Sequence, residues 1–311
     1  MQGKVDSRAA NGGKRRHFMP ACAWLRSTVA AILCAALVTP PLDAIELKKP
    51  TLDAFFRYVR IREAQIEQEV KLALSGVEGH QNPFLWIDTL PEARRAEAYA
   101  ALRRGEVFIE RRKTLDNGKE IECPDGLIHH WMGTVFIPGT TLEKTIALVQ
   151  DYGNHATNYK PDVIASKTLE RKGNDFKIFM RFKKKKVLTV VLNTHQDVRY
   201  VPLSPTRMHS VARTTRVAQV EDPATPDGPE KAPGKDRGFM WQLYTYWLFE
   251  ERDGGVYVQC EAISLSRDVP FLLGWLKDYI TSVPHESLRF TLGRTCNLLR
   301  KSDVACLEKE K

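Results

Sequence analysis

The stretch DFKIFMRFKKKKVLTVVLNTHQDVRY, Asp175 to Tyr200, decides the fold. From Asp175 to Phe182 the even positions are Phe176, Ile178, Met180 and Phe182, set against Lys177 and Arg181. After Lys183–Lys186 the even positions resume with Leu188, Val190 and Leu192, pass through Thr194 and Gln196, and end on Val198 and Tyr200. A period of two marks a strand with one face buried. Two such strands joined by so short a connection pair antiparallel.

The same reading extends in both directions. Strands are predicted over Val163–Glu170, Arg207–Val220, Phe239–Glu251 and Val256–Ser264, separated by Gly173-Asn174, Pro202–Pro205 and Asp253-Gly254-Gly255. These residues favour turns for distinct steric reasons. One connection, Glu221–Arg237, holds four prolines and is expected to be an exposed loop within the domain. Upstream, Glu106–Lys113 and Leu127–Ile137 read as two further strands, and Thr141–Gln150 as a short helix with a threonine cap. Asp151–Pro161 reads as a loop rich in Asn, Tyr and His. Thr51–Leu74 and Pro91–Arg104 have helical periodicity and form an expected surface layer. At the other end, Asp268-Val269-Pro270 introduces a helix from Phe271, which Pro284 should kink or restart, reaching about Arg300.

The fold class is therefore α+β: a curved antiparallel sheet, apolar on one face, wrapped around a long C-terminal helix, with extra N-terminal helices. Leu288, Leu292, Thr295 and Leu299 repeat at helical spacing and supply the cover. In Phe239–Glu251 the inward set is Phe239, Trp241, Leu243, Thr245, Trp247 and Phe249, although Tyr244, Tyr246 and Leu248 blur the contrast. A sheet gripping one helix leaves concave apolar space, where small molecules bind. The candidate ligand-binding residues are Trp131, Phe176, Ile178, Met180, Leu192, Arg216, Trp241, Leu243, Trp247, Leu288 and Leu292. Arg216 falls with Ser210, Ala212, Thr214 and Ala218 on the expected inner face. It reads either as an internal ion pair, for example with Glu261, or as a clamp for a ligand carboxylate or phosphate.

Composition bounds the partners. Hydrophobic residues make up 43% and charged residues 27% of the 311 residues, ordinary values for a globular protein. Six of the 47 basic and two of the 38 acidic residues lie in 1–44, which reduces the formal +9 to +5. That balance, without a basic stripe carrying stacking aromatics, argues against nucleic acid. The Lys183–Lys186 run reads as a solvated turn, with transient contact to an anionic membrane surface as the alternative. There is no G-x-S-x-G, H-E-x-x-H, P-loop or G-x-G-x-x-G. His129 and His130 point to opposite faces, and neither a metal nor another cofactor is expected.

The order strand, strand, helix, meander, long helix resembles the START-like superfamily, as do Val135-Phe136-Ile137-Pro138-Gly139 and Arg267-Asp268-Val269-Pro270. This is the helix-grip fold of lipid-transfer domains, polyketide cyclases and the major birch pollen allergen. The chain most resembles exported bacterial members of unassigned activity. The resemblance covers 105–300 and implies a pocket between sheet and C-terminal helix that holds a lipid or other hydrophobic molecule. It leaves two functions open: non-catalytic binding or transfer, and a cyclase/aromatase-like enzyme acting on a hydrophobic intermediate in the same space. The expected organisation is a signal peptide at 1–44, a helical segment at 45–104, the helix-grip domain at 105–300 and a tail at 301–311.

Export is expected from Lys14-Arg15-Arg16 and Arg26, the apolar run Ser27–Val38, and the small-residue exit ending at Ala44. An apolar run of 12 residues is too short for a spanning helix. Export would leave Cys123, Cys260, Cys296 and Cys306, with three possible double pairings; Cys296 and Cys306 are closest in sequence. The mature N-terminus should then lie near Ile45. An intact mass of exported protein that still contains Ser27–Val38 would contradict cleavage.

Overall fold

The computed structural model describes residues 46–75, 82–186, 188–269 and 274–300. Its elements are α1 (Lys49–Leu74), a 3-10 turn (Trp86–Thr89), α2 (Glu92–Arg103), β1 (Phe108–Arg111), β2 (Leu115–Asp116), β3 (Lys119–Glu120), β4 (Gly126–Pro138), α3 (Leu142–Gln150), α4 (His155–Asn158), β5 (Val163–Lys172), β6 (Asp175–Lys185), β7 (Thr189–Ser204), β8 (Arg207–Gln219), β9 (Gln242–Arg252), β10 (Gly255–Arg267) and α5 (Gly274–Leu299). Eight strands form one antiparallel sheet in the order β1-β4-β10-β9-β8-β7-β6-β5, and β2-β3 is a separate hairpin. The sheet curves around α5. The predicted helix-grip architecture is therefore present. Pro284 lies within one continuous helix and does not restart it.

Helix α5 packs most heavily against β4, and the contact is close because residue 133 is glycine. A Cβ there would meet Leu292 Cδ1 at 2.8 Å. The inner core joins Val135 and Ile137 of β4, Val256, Val258 and Cys260 of β10, and Leu288, Leu292 and Cys296 of α5.

The outer face departs from expectation over half its width. It is covered rather than wet. Phe55, Tyr58, Val59 and Ile66 of α1 pack against Tyr246, Ile263 and Leu265, while Phe84–Ile87 and α2 cover Met132, Leu248 and Tyr257. This is why Tyr244, Tyr246 and Leu248 spoil the alternation of β9: they face a second apolar layer. The Glu221–Arg237 loop is likewise held down. Glu230 bridges to Val220, accepts from Asn193 Nδ2 (2.6 Å), and pairs with Arg216. The lysine run ends β6; Lys184 Nζ lies 2.6 Å from Asp162 and Lys186 Nζ 2.5 Å from Glu286. Cys296 is disulfide-bonded, whereas Cys123 and Cys260 are free thiols. Cys306 and the proposed signal segment lie outside the described residues.

One polar network fixes α1 to the sheet. Glu261, buried on β10, accepts from Arg62 Nε (2.5 Å) and Nη2 (2.9 Å) and from His130 Nε2 (2.6 Å). Burial lowers the His130 pKa and so keeps the ring neutral, with its proton on Nε2 toward the carboxylate. Its Nδ1 then accepts from Tyr58 OH (2.8 Å), whose oxygen takes the Thr114 N–H (2.7 Å). Removing one partner of a buried ion pair strands the other charge, at a cost of roughly 3–5 kcal/mol. Glu261→Gln should therefore lower the urea midpoint sharply, and Glu261→Gln with Arg62→Met should recover much of the loss. A single variant as stable as the parent would contradict this role.

Candidate functional site

Between the sheet and α5 lies a cavity of about 290 Å³. One water needs roughly 10–15 Å³ on the same measure, so the space far exceeds a few waters. Its origin is legible strand by strand. The inward positions in the middle of β8, β9 and β10 carry small side chains: Ser210, Ala212, Thr245, Ala262 and Ser264. These cannot reach α5, so the sheet cannot close on the helix there. Larger apolar residues from β6, β7 and α5 form the remaining wall.

Six of the eleven sequence-predicted residues border this space: Ile178, Met180, Leu192, Leu243, Trp247 and Leu288. Three others point inward but pack solidly. Leu292 is fully buried against Gly133. Phe176 sits behind Tyr152 and Tyr200, at ring-centroid distances of 5.5 and 5.7 Å. Trp131 lies against His285 of α5 at 4.7 Å.

Arg216 and Trp241 are corrected. Arg216 is half-exposed on the outer face and pairs with Glu230, not Glu261. The cause is a bulge: His195 is opposite Arg216 while Gln196 is opposite Thr214, so Thr215 is an extra residue that reverses the parity of β8. Trp241 precedes β9, which begins at Gln242, and its ring packs with Phe55 and Val59 of α1 on the outer side. Alternation cannot be extended back past the start of a strand.

Sequence reasoning missed the polar residues of the cavity. Tyr152, His155 and Tyr159 border it from the segment read as a loop. Their spacing of three and four residues is that of one helical face, and that was the available signal. Tyr152 OH donates to Tyr200 OH (2.8 Å), which donates to the Val149 carbonyl (3.3 Å). Tyr159 OH donates to Thr295 Oγ1 (3.0 Å), which donates to the Thr291 carbonyl (2.8 Å). His129 also borders the cavity, from β4. Its Nε2 is 2.8 Å from Ser266 Oγ, and that hydroxyl donates to the Arg267 carbonyl (3.3 Å), so the His129 proton lies on Nε2. Burial pushes both His129 and His155 down to about 4. The histidines are therefore neutral at pH 7, and among the described residues the charged groups bordering the cavity are Lys183 and the paired Asp162 and Lys184.

The site belongs to a helix-grip protein. No family model and no curated protein matches the chain. Solved structures similar to it include the STAR-related lipid transfer protein of Xanthomonas axonopodis, at 14% identity over 60% of this chain and 98% of that one, with a TM-score of 0.36. Human STARD10 is similar at 9% identity over 67% and 80%, with a TM-score of 0.40. The Zhui aromatase/cyclase of Streptomyces is similar at 11% identity over 56% and 94%, with a TM-score of 0.39.

The buried imidazoles predict a pH dependence. His129, His155 and His209 all have folded values near 4 against 6.5 for a free imidazole. Between those values the unfolded chain binds the extra protons, so stability is lost as the pH falls from 6.5 to 4, by up to ~1.4 kcal/mol per pH unit for each ring. Thermal midpoints should be level above pH 6.5 and drop through that window. A flat profile down to pH 4.5 would contradict the burial of these rings.

Proposed function

We propose that this protein binds or transfers a hydrophobic, lipid-like molecule in the cavity between sheet and α5, without catalysing a reaction, and that it acts outside the cytoplasm after loss of the signal segment. The cavity itself carries the reading. It is apolar along Ile178, Met180, Leu192, Leu243, Trp247 and Leu288, and most of its polar groups are satisfied by one another. Each methylene transferred into such a space contributes ~0.8 kcal/mol, so a chain of about a dozen carbons binds through apolar burial.

A cyclase-like reaction is the second reading, and the observation favouring it is the pair of neutral cavity histidines. They stand on different walls: His129 is on β4, near one edge of the sheet, and His155 is on α4 beside β5 at the other edge. Binding requires no cooperation between them, whereas catalysis on one intermediate would.

Ala212 faces the cavity from the middle of β8 and is the place to fill it. Ala212→Phe should weaken binding of a fluorescent fatty acid by more than ~tenfold, the loss of about two methylenes' burial. Its far-ultraviolet circular dichroism should be unchanged. Equal binding by the folded variant and the parent would place the probe elsewhere and remove the proposal.

A further inference from the structure

The cavity floor is laid out in rows across the sheet. The register sets Leu243 of β9 opposite Ser264 of β10, and Ser264 opposite His129 of β4. All three residues border the cavity. The next row holds Thr245, Ala262 and Trp131. Two of the polar atoms in these rows are occupied: Thr245 Oγ1 takes the Trp247 Nε1–H (3.1 Å), and His129 Nε2 lies 2.8 Å from Ser266 Oγ. Two others are open. Among the described residues, neither His129 Nδ1 nor Ser264 Oγ has a hydrogen-bond partner. Nor are these two atoms sealed in the wall. The closed-off side-chain atoms that lack a partner lie elsewhere, on Thr114, His155, His209, Glu250 and Arg252. His129 and Ser264 are 3% and 7% exposed, and both face the cavity from the inner side of the sheet. Residues directly opposite on neighbouring strands have Cβ atoms about 4.5–5.5 Å apart, so one small ligand group can reach both.

We propose that His129 and Ser264 together form the polar seat of the cavity and take the hydroxyl of an otherwise apolar alcohol. This deepens the binding reading above and rests on it. A hydroxyl is the smallest group that donates and accepts at once. With the imidazole proton on Nε2, the ligand hydroxyl donates to Nδ1 and accepts from Ser264. With the proton on Nδ1 the same hydroxyl binds in the reverse sense, so the ligand class does not depend on the tautomer. A carboxylate fits poorly. Both groups of the seat are neutral at pH 7, since burial holds His129 at about 4. Lys183 and Lys184 are on β6, four strands from β10. A charged head group at the seat would lose its hydration without a counter-charge. The apolar body of the alcohol then lies over Ala262 and Ala212, whose small side chains make the space, and reaches Trp247 and Leu288.

The test uses delipidated protein and displacement of a fluorescent fatty acid by 1-dodecanol, 1-fluorododecane and dodecanoate. Fluorine replaces the hydroxyl at equal length and bonds weakly. Ser264→Ala removes an oxygen that bonds nothing in the protein, so its thermal midpoint should match the parent's. It should weaken 1-dodecanol by about fivefold, the worth of one hydrogen bond, and leave the other two within about twofold. His129→Phe, which keeps a flat ring without nitrogens, should have the same selective effect. If it does not fold, Ser264→Ala decides alone. A folded variant at either position that binds 1-dodecanol as the parent does overturns the seat. Equal weakening of all three competitors, a change of cavity shape only, overturns it too, as does a larger loss for dodecanoate than for 1-dodecanol. If the fatty-acid probe does not bind the parent at all, the cavity-binding reading itself fails, a result distinct from an unselective variant.

Discussion

A buried carboxylate on β10 sets the terms for the rest of the molecule. Glu261 is 2% exposed, and nothing on the sheet balances its charge except the neutral ring of His130. A lone carboxylate in that position would shift its pKa up and take a proton. It does the reverse: burial pushes it up, but His130 and Arg62 hold it down at about 2. Arg62 comes from α1, almost two hundred residues away in sequence, and it is in turn held by Glu69 (2.7 Å), about two helical turns further along. The sheet therefore needs the N-terminal helix for electrostatic reasons, and the helix needs the sheet to bury Phe55, Tyr58, Val59 and Ile66. Extra helices before a helix-grip domain are, in this chain, part of the domain's own packing.

Covering the outer face has a consequence for the inner one. Strands β4, β9 and β10 are packed on both sides, so β10 is buried along nearly its whole length. Such a wall is stiff, because every inward or outward displacement disturbs close-packed side chains. With the wall fixed from outside, small residues at its inward positions are not compensated by collapse toward α5. The 290 Å³ cavity persists for that reason. A sheet wet on its outer face would have more freedom to flatten onto the helix. The network at Glu261 thus supports the cavity without touching it.

The sequence made the strands and the gripping helix legible because turns and period-two alternation are local signals. What lay beyond reach was whatever local periodicity does not carry. Thr215 breaks the alternation of β8 by one residue, and nothing in RTTRVAQ announces a bulge, so Arg216 was placed on the wrong face. Trp241 shares the parity of Leu243 but lies one residue before the strand begins. Leu292 has the right helical phase, yet whether it borders space or solid packing depends on Gly133 across the interface. Conversely, the blurred face of β9, with Tyr244, Tyr246 and Leu248, was a true sign of a second layer. An apolar outward face on an antiparallel strand asks for something to cover it, and α1 was the available amphipathic element.

The polar content of the cavity follows the same economy of partners. Tyrosines bury well only when their hydroxyls are paired, and here each is closed by another hydroxyl or a main-chain carbonyl. His129 Nε2 is closed by Ser266. His155 is the exception on this wall: its Nε2 is buried without a hydrogen-bond partner among the described residues. His155 is held by α4, a four-residue helix whose next residue, Ala156, donates its N–H to Ser166 of β5 (2.9 Å). The ring is thus positioned by main chain and packing rather than by a side-chain hydrogen bond of its own.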